Sequence, residues 1–208
     1  MSELLLRSVL YLPATNKRAL EKAKTLPCDA VIVDLEDAVS VDAKNGARLP
    51  AQEASAEGDY GYRALVLRIN DIHGDWGEGD IAMLAESGFD AVFIPKIRSQ
   101  HDVWHAIKML DAAGVSETLP IWLMIETTDS ILALKEIAGS SSRLEVLIFG
   151  SNDLLSEMGA APTADRIALQ YALTRTVLAG RANGLMVIDG VFNNFKSILF
   201  LNITAAET

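Results

Sequence analysis

The chain has 208 residues, half of them hydrophobic, with a formal net charge of −10. That length supports one domain with a sizeable core, and the acidic balance argues against a nucleic-acid surface, which needs a basic stripe. Cys28 is the lone cysteine, which excludes an intramolecular disulfide and argues against a Cys-based zinc site. Strand candidates in chain order are Ser8–Pro13, Ala30–Leu35, Ala64–Ile69, Ala91–Ile94, Ile121–Ile125, Val146–Phe149 and Met186–Ile188. They are nearly continuous in Val, Ile, Leu and Phe, as strands covered on both faces should be. Helical patterns lie between them at Lys17–Thr25, Asp42–Arg48, Gly79–Ser87, Gln100–Ala113, Ser130–Ala138 and Ala164–Asn183. Asn16 and Asp42 read as N-caps, and Gly88, Gly114, Gly139 and Gly184 as helix stops. Pro50 is expected to end or bend the second helix, leaving residues 52–61 as a loop. No apolar run reaches membrane-spanning length and no signal-peptide pattern opens the chain, so a cytoplasmic protein with no membrane contact is expected.

This alternation implies a parallel α/β domain, compatible with a (β/α)8 barrel or an open doubly wound sheet. Charged residues at most strand ends favour the barrel, whose ligands gather at the carboxyl ends of the strands. A full TIM barrel typically needs about 250 residues and eight strands. The expectation is therefore one TIM-barrel-like domain over residues 1–208, incomplete or atypical after the seventh strand and divergent from about residue 196. Ser197–Ile203 can supply an eighth strand, and the apolar run Ile198–Leu201 needs cover from the barrel or from another subunit.

The strand-end residues carry the chemistry. Glu126 closes IWLMIE and Asp153 follows VLIFGSN, so the two carboxylates can reach one hard cation. Mg²⁺ takes few carboxylates and leaves positions for a chelating substrate; the alternative is that each acid caps the helix that follows it. Glu36 and Asp37, in AVIVDLED, suit hydrogen bonds to metal-bound water, or simple loop solvation, whereas Asp34 is expected to face away in a structural role. Arg68, on the apolar LVLRIN strand, needs an anionic partner. Either an ion pair with Glu36 or Asp37 or a guanidinium aimed at charge developing on a substrate meets that need. Lys96 can form a Schiff base if desolvated, against the commoner role of a paired or solvated charge. His101 and His105, at i,i+4 without a third ligand, read as a solvated helix face. The turn Leu12–Arg18 offers a helix N-terminus, Lys17 and Arg18 to an anion.

Taken together, RSVLYLPATNKRALEKA, DAVIVDLEDAV, LRINDIHGDWGEGD, GFDAVFIPKI, IWLMIET, LIFGSNDL and VIDGVF resemble, in order and spacing, the citrate lyase β-subunit-like branch of the HpcH/HpaI aldolase family. The resemblance implies a TIM barrel and a Mg²⁺-dependent carbon–carbon lyase, with Mn²⁺ as a substitute ion. The implied substrates are 3-hydroxy-acyl thioesters of the citryl, malyl or citramalyl type, carried on CoA or acyl carrier protein. A 2-oxo acid is the product, and a homo-oligomer is expected. It places Glu126 and Asp153 on the metal, Arg68 as the active-site arginine, and Glu36 and Asp37 as the nearby acidic pair. Tyr11, Lys17 and Arg18 fall in the segment that holds the thioester end, and Leu154 where a backbone N–H can meet the substrate carboxylate. Pro13–Thr15 reads Pro-Ala-Thr where the family has Pro-Gly-Ser. The family's later βα unit and C-terminal segment, with an acid that serves a neighbouring subunit, find no match after Phe195. That departure motivates an alternative, a non-catalytic metal- and oxo-acid-binding subunit; a thioesterase on the same substrates is a third.

Overall fold

A computed structural model describes residues 6–192. Its elements run β1 (Val9–Pro13), α1 (Lys17–Ala23), β2 (Ala30–Asp34), a 3-10 turn (Val41–Ala43), α2 (Lys44–Glu57), β3 (Ala64–Arg68), α3 (Gly77–Leu84) and β4 (Ala91–Ile94). They continue with α4 (Gln100–Ala112), β5 (Ile121–Ile125), α5 (Thr128–Leu132), α6 (Leu134–Ala138), β6 (Leu144–Phe149), α7 (Ser151–Met158), a second 3-10 turn (Ile167–Leu169), α8 (Gln170–Ala182) and β7 (Met186–Ile188).

All the strand pairs are parallel, and the sheet order β1 to β7 follows the chain. A doubly wound sheet reverses its order at a switch point; this one does not. The period-2 alternation of each strand divides its apolar residues between two cores. Val31 and Val33 of β2, with Leu65 and Leu67 of β3, pack beneath the helices. Ile32, Val66, Phe93, Trp122, Met124, Val146 and Ile148 form an inner cluster, against which Val9 and Tyr11 of β1 and Met186 and Ile188 of β7 also pack. Both edge strands thus share one interior, so the sheet is curled into a parallel half-barrel with its helices outside.

Several local expectations need correcting. Helix α2 runs through Pro50 to Glu57 and buries Ala47, Ala51, Ala54 and Ser55. Proline inside a helix costs about 3 kcal/mol, and the burial of this continuous apolar face outweighs it. Asp42 lies in the 3-10 turn and does not cap α2, whereas Asn16 caps α1 by accepting from the Ala19 amide at 3.1 Å. The helix expected over Ser130–Ala138 divides at Ala133 and starts from a reciprocal Thr127–Ser130 cap. Helix α8 begins at Gln170, after Arg166 turns the chain in a left-handed conformation (φ 52°). Ser197–Ile203 lies outside the described residues. Among the described residues no helix is long and apolar enough to cross a membrane.

Candidate active site

The same alternation that fills the inner cluster brings polar residues to its upper rim. One step beyond Ile32 on β2 is Asp34, one step beyond Val66 on β3 is Arg68, and one step beyond Met124 on β5 is Glu126. Register does the rest: Asp34 pairs directly with Arg68 across β2 and β3. Arg68 donates from Nε to Asp34 Oδ1 at 2.7 Å and from Nη2 to Asp34 Oδ2 at 2.5 Å. Asp34 therefore does not face away. It is the fork partner of Arg68, and it also accepts from the Glu36 and Ala38 amides at 2.8 and 3.1 Å. One buried carboxylate sets the arginine and the loop that follows β2.

Arg68 has further neighbours. Its Nη1 lies 2.9 Å from Glu36 Oε2 and 3.6 Å from Asp37 Oδ2, and its guanidinium sits 5.3 Å from the centre of the Tyr11 ring. The Glu36 contact is Coulombic, because that oxygen has no hydrogen-bond partner of proper geometry; nor does the buried Tyr11 hydroxyl. Burial opposes the guanidinium charge, but Asp34 and Glu36 more than offset it and raise its pKa. Burial likewise raises the Tyr11 phenol.

Glu36 links this arginine to a second cation. Lys96 Nζ contacts Asp153 Oδ2 and lies 3.5 Å from Glu126 Oε1 and 3.6 Å from Glu36 Oε1. The Lys96 amide also donates to Glu126 Oε1 at 2.8 Å. It can do so because the residue is left-handed (φ 56°), a conformation few non-glycine residues adopt. Its ammonium is held charged: burial lowers its pKa, but Asp153, Glu126 and Glu36 together raise it. A nucleophilic amine requires the opposite shift, so the geometry favours a paired charge at Lys96 over a Schiff base.

The carboxyls divide by environment. Burial, then the hydrogen bond with Asp153, pushes Glu126 up to about 8 against the pull of Lys96. Burial pushes Glu36 up to about 7, opposed by Arg68 and reinforced by Asp37. Burial also acts on Asp153, but hydrogen bonds from Lys96 and Glu126 outweigh it and leave its pKa lowered. Glu36 and Glu126 thus bind protons more tightly folded than unfolded. Their stabilising contribution is complete below pH of about 4.5, the ordinary glutamate range, and is lost as pH rises through about 7 and 8. Metal-free protein should melt at lower temperature at pH 9 than at pH 6. Thermal scans in EDTA check this, and the slope should flatten in Glu126→Gln.

Close packing locks the rim. A Cβ added at Gly150 would lie 2.4 Å from Glu126 Cβ and 2.9 Å from its Oε2, so the glycine makes room for Glu126. Behind the rim, the buried Lys44 donates to the Leu35 and Glu36 carbonyls at 3.1 and 2.9 Å and to Asn70 Oδ1 at 2.6 Å. Asn70 in turn donates to the fully buried Asp80 from its backbone and side chain at 2.8 and 2.7 Å. These supports were not singled out in the sequence. Their one signal there is a lysine on the inward side of an amphipathic helix.

A cavity of about 300 Å³ opens here, lined by Tyr11, Asp34, Asp37, Arg68, Glu126 and the stretch Gly150–Asp153, among others. A smaller one of about 160 Å³, lined by Thr163 and Arg166, adjoins it through Ser151, Asn152 and Val191. Five carboxyl groups (Asp34, Glu36, Asp37, Glu126, Asp153) face two cations, a formal surplus of three negative charges when all are ionised. Among the described residues no three His, Cys, Asp or Glu side chains converge as a closed metal cage. Glu126 and Asp153 are hard oxygen donors that meet at Lys96 Nζ. This donor set fits a cation such as Mg²⁺, which takes one or two carboxylates and completes its sphere with water and substrate.

Not every expected residue converges. Tyr11, Arg68, Asp37, Glu126 and Asp153 line the cavity, and Glu36 stands just behind it. Lys17 is on the exposed side of α1, paired with Glu53 at 2.5 Å, and Arg18 is exposed beside it; neither lines the cavity. The Leu154 amide donates to the Gly150 carbonyl at 3.3 Å inside α7, so it is engaged within the helix. Amides without an i−4 carbonyl belong to the first turn before it. Glu126 does not cap α5, a role taken by Thr127, and Asp153 lies inside the first turn of α7. His101 and His105 are exposed on α4.

The chain is 42% identical over 190 residues to a (3S)-malyl-CoA thioesterase of Cereibacter sphaeroides, covering 91% of this chain and 64% of that protein. It is 29% identical over 201 residues to the citrate lyase subunit beta of Leuconostoc mesenteroides subsp. cremoris, covering 94% and 66%. It thus spans just under two thirds of the length of these relatives. Protein CitE from Mycobacterium tuberculosis, solved in complex with magnesium, acetoacetate and coenzyme A, superposes with a TM-score of 0.83 at 23% identity, covering 99% of this chain and 73% of that one. The profile of the HpcH/HpaI aldolase/citrate lyase family matches residues 7–199, and the chain belongs to that family.

Proposed function

We propose that this protein is a Mg²⁺-dependent carbon–carbon lyase that cleaves, or in reverse forms, a 3-hydroxy-acyl thioester of the citryl, malyl or citramalyl type. The products are a 2-oxo acid and an acyl thioester. The observation that carries the proposal is the convergence of buried Arg68 and Glu126 with Asp153 on one cavity at the carboxyl ends of a chain-ordered parallel sheet. The name of its malyl-CoA thioesterase relative supports the thioester substrate, that of the citrate lyase subunit supports the lyase reaction, and magnesium in the CitE complex supports the ion. Mn²⁺ would substitute for Mg²⁺, and the curled sheet would be the larger part of a (β/α)8-type barrel. Cytoplasmic location and homo-oligomerisation belong to the same proposal. Among the described residues β1 and β7 are the half-buried edges of the sheet, and pairing of such edges supports assembly.

Glu126 and Asp153 would hold the ion, which when bound supplies Lewis-acid polarisation of the substrate's carboxylate and 3-hydroxyl oxygens. Asp37 is an exposed carboxylate on the cavity wall and would accept the hydroxyl proton. Loss of that proton turns the hydroxyl into the carbonyl of the departing 2-oxo acid as the bond between the carbinol carbon and the carbon alpha to the thioester breaks. The electron pair of that bond passes to the thioester as an enolate, and a proton, in net terms the one lost from the hydroxyl, is added to its alpha carbon to give the acyl thioester. Arg68, already fixed by Asp34, meets the developing negative charge without reorganising. Tyr11, with its ring against the guanidinium and its hydroxyl unpartnered, completes the wall. Glu36 balances Arg68 and Lys96 from behind.

A thioesterase is the second reading, favoured by the 42% identity to a malyl-CoA thioesterase; there water attacks the thioester carbonyl and releases CoA. Incubation of the purified chain with Mg²⁺ and malyl-CoA, citramalyl-CoA or citryl-CoA separates the two. The lyase yields a 2-oxo acid, trapped as its phenylhydrazone, without free thiol. Free thiol without 2-oxo acid establishes the thioesterase. Neither product on any of these substrates leaves a binding subunit.

A further inference from the structure

We propose that Lys96 is a built-in competitor for the divalent cation: without metal its ammonium fills the space between Glu36, Glu126 and Asp153, and cation binding displaces it. The inference rests on the assignment of Glu126 and Asp153 as the ion's ligands. Three observations carry it. The ammonium contacts Asp153 Oδ2 and lies 3.5 Å from Glu126 Oε1, so it engages both carboxylates that the ion needs. The side chain reaches them from a left-handed backbone (φ 56°), a conformation a glycine would hold without cost. The lysine side chain is 28% exposed, against 1% for Glu126, so it has a way out towards solvent past a Glu126 that stays buried. Gly150 and the Lys96 amide hold Glu126 independently of the ammonium. Release of Lys96 therefore need not disturb the ligand.

Such an arrangement neutralises a carboxylate cluster that would otherwise repel itself, and it weakens metal binding by the strength of the ion pair it must break. Charge-assisted contacts of this kind correspond to roughly tenfold or more in an equilibrium constant. Mn²⁺ titration of the metal-stripped full chain, followed by the loss of free-ion EPR signal, tests the idea. Lys96→Met and Lys96→Gly, the latter retaining the backbone conformation, should each bind Mn²⁺ at least about tenfold more tightly than wild type; Lys96→Arg should not. Both neutral variants should melt earlier than wild type in EDTA and recover with Mn²⁺. Acetic anhydride labelling read by mass spectrometry reports the displacement itself: Lys96 should be protected in metal-free wild type and become reactive when Mn²⁺ saturates the site.

Two outcomes overturn the proposal. If Asp153→Asn loses Mn²⁺ while Lys96→Met and Lys96→Gly bind no more tightly than wild type, or Lys96 labels equally with and without metal, competition is wrong and the ligand assignment stands. If Asp153→Asn binds Mn²⁺ as wild type does, the ligand assignment itself fails and the inference falls with it.

Discussion

Replacing Arg68 with lysine should lower kcat/KM by about 10²–10³ while leaving the protein folded. Lysine keeps the charge, so Asp34 and Glu36 retain a cation. It loses the planar fork that donates to both oxygens of Asp34 while leaving Nη1 outside that pair, 2.9 Å from Glu36 Oε2 and 3.6 Å from Asp37 Oδ2. A compact ammonium can satisfy Asp34 or meet charge developing on the substrate, but its geometry does not provide for both. Arg68→Met should go further. It strands Asp34 and Glu36, buried and facing each other without their shared partner, and breaking a buried pair from one side costs about 3–5 kcal/mol. Denaturant unfolding of both variants, beside their kinetics, separates the two effects. An Arg68→Lys protein with wild-type kcat/KM would mean that the guanidinium serves the fold alone.

The carboxylate pair should behave differently. Glu126→Gln and Asp153→Asn keep nearly the same shape, so each should fold, yet each should lose about 10³-fold or more in kcat, with no recovery at saturating substrate. Glu126→Gln has a second consequence. The buried carboxyl, pushed up to about 8, costs free energy when it ionises. The metal-free variant should therefore be more stable than wild type at pH 9 and little changed at pH 6. A variant that is inactive yet stabilised at high pH is not what loss of a merely structural acid would give. Activity titrated against Mg²⁺, together with melts at the two pH values, checks both halves.

The strands were legible because burial on both faces writes itself as unbroken apolar runs: Ile121–Ile125 and Met186–Ile188 fall where the sequence puts them. Strand-end chemistry was legible for the same reason, since Arg68 and Glu126 interrupt or close those runs. Helix α2 was not, because Pro50 is a strong local signal and the packing of Ala51 and Ala54 against the sheet is not local. The structural role of Asp34 is legible in the sequence but its direction is not, because only the pairing of β2 with β3 sets it against Arg68. A paired charge at Lys96 is legible in the sequence, but its partners are not, because they depend on a left-handed turn after Pro95 and on carboxylates 30 and 57 residues away in sequence. Lys17 and Arg18 were placed at the site by resemblance. Here the Lys17 side chain pairs with Glu53 on the exposed face of α1, and the cavity is lined without either residue.

The central claim is that Glu126 and Asp153 hold a divalent ion beside Arg68. Its most direct test is anomalous scattering from crystals of the full chain grown with Mn²⁺ and a 2-oxo acid such as oxaloacetate, pyruvate or glyoxylate. The expected result is one strong manganese peak bonded to a carboxylate oxygen of each of Glu126 and Asp153, with the oxo acid completing its coordination and Lys96 turned out of the cluster. A manganese peak elsewhere, or these two side chains turned away from it, would contradict the account.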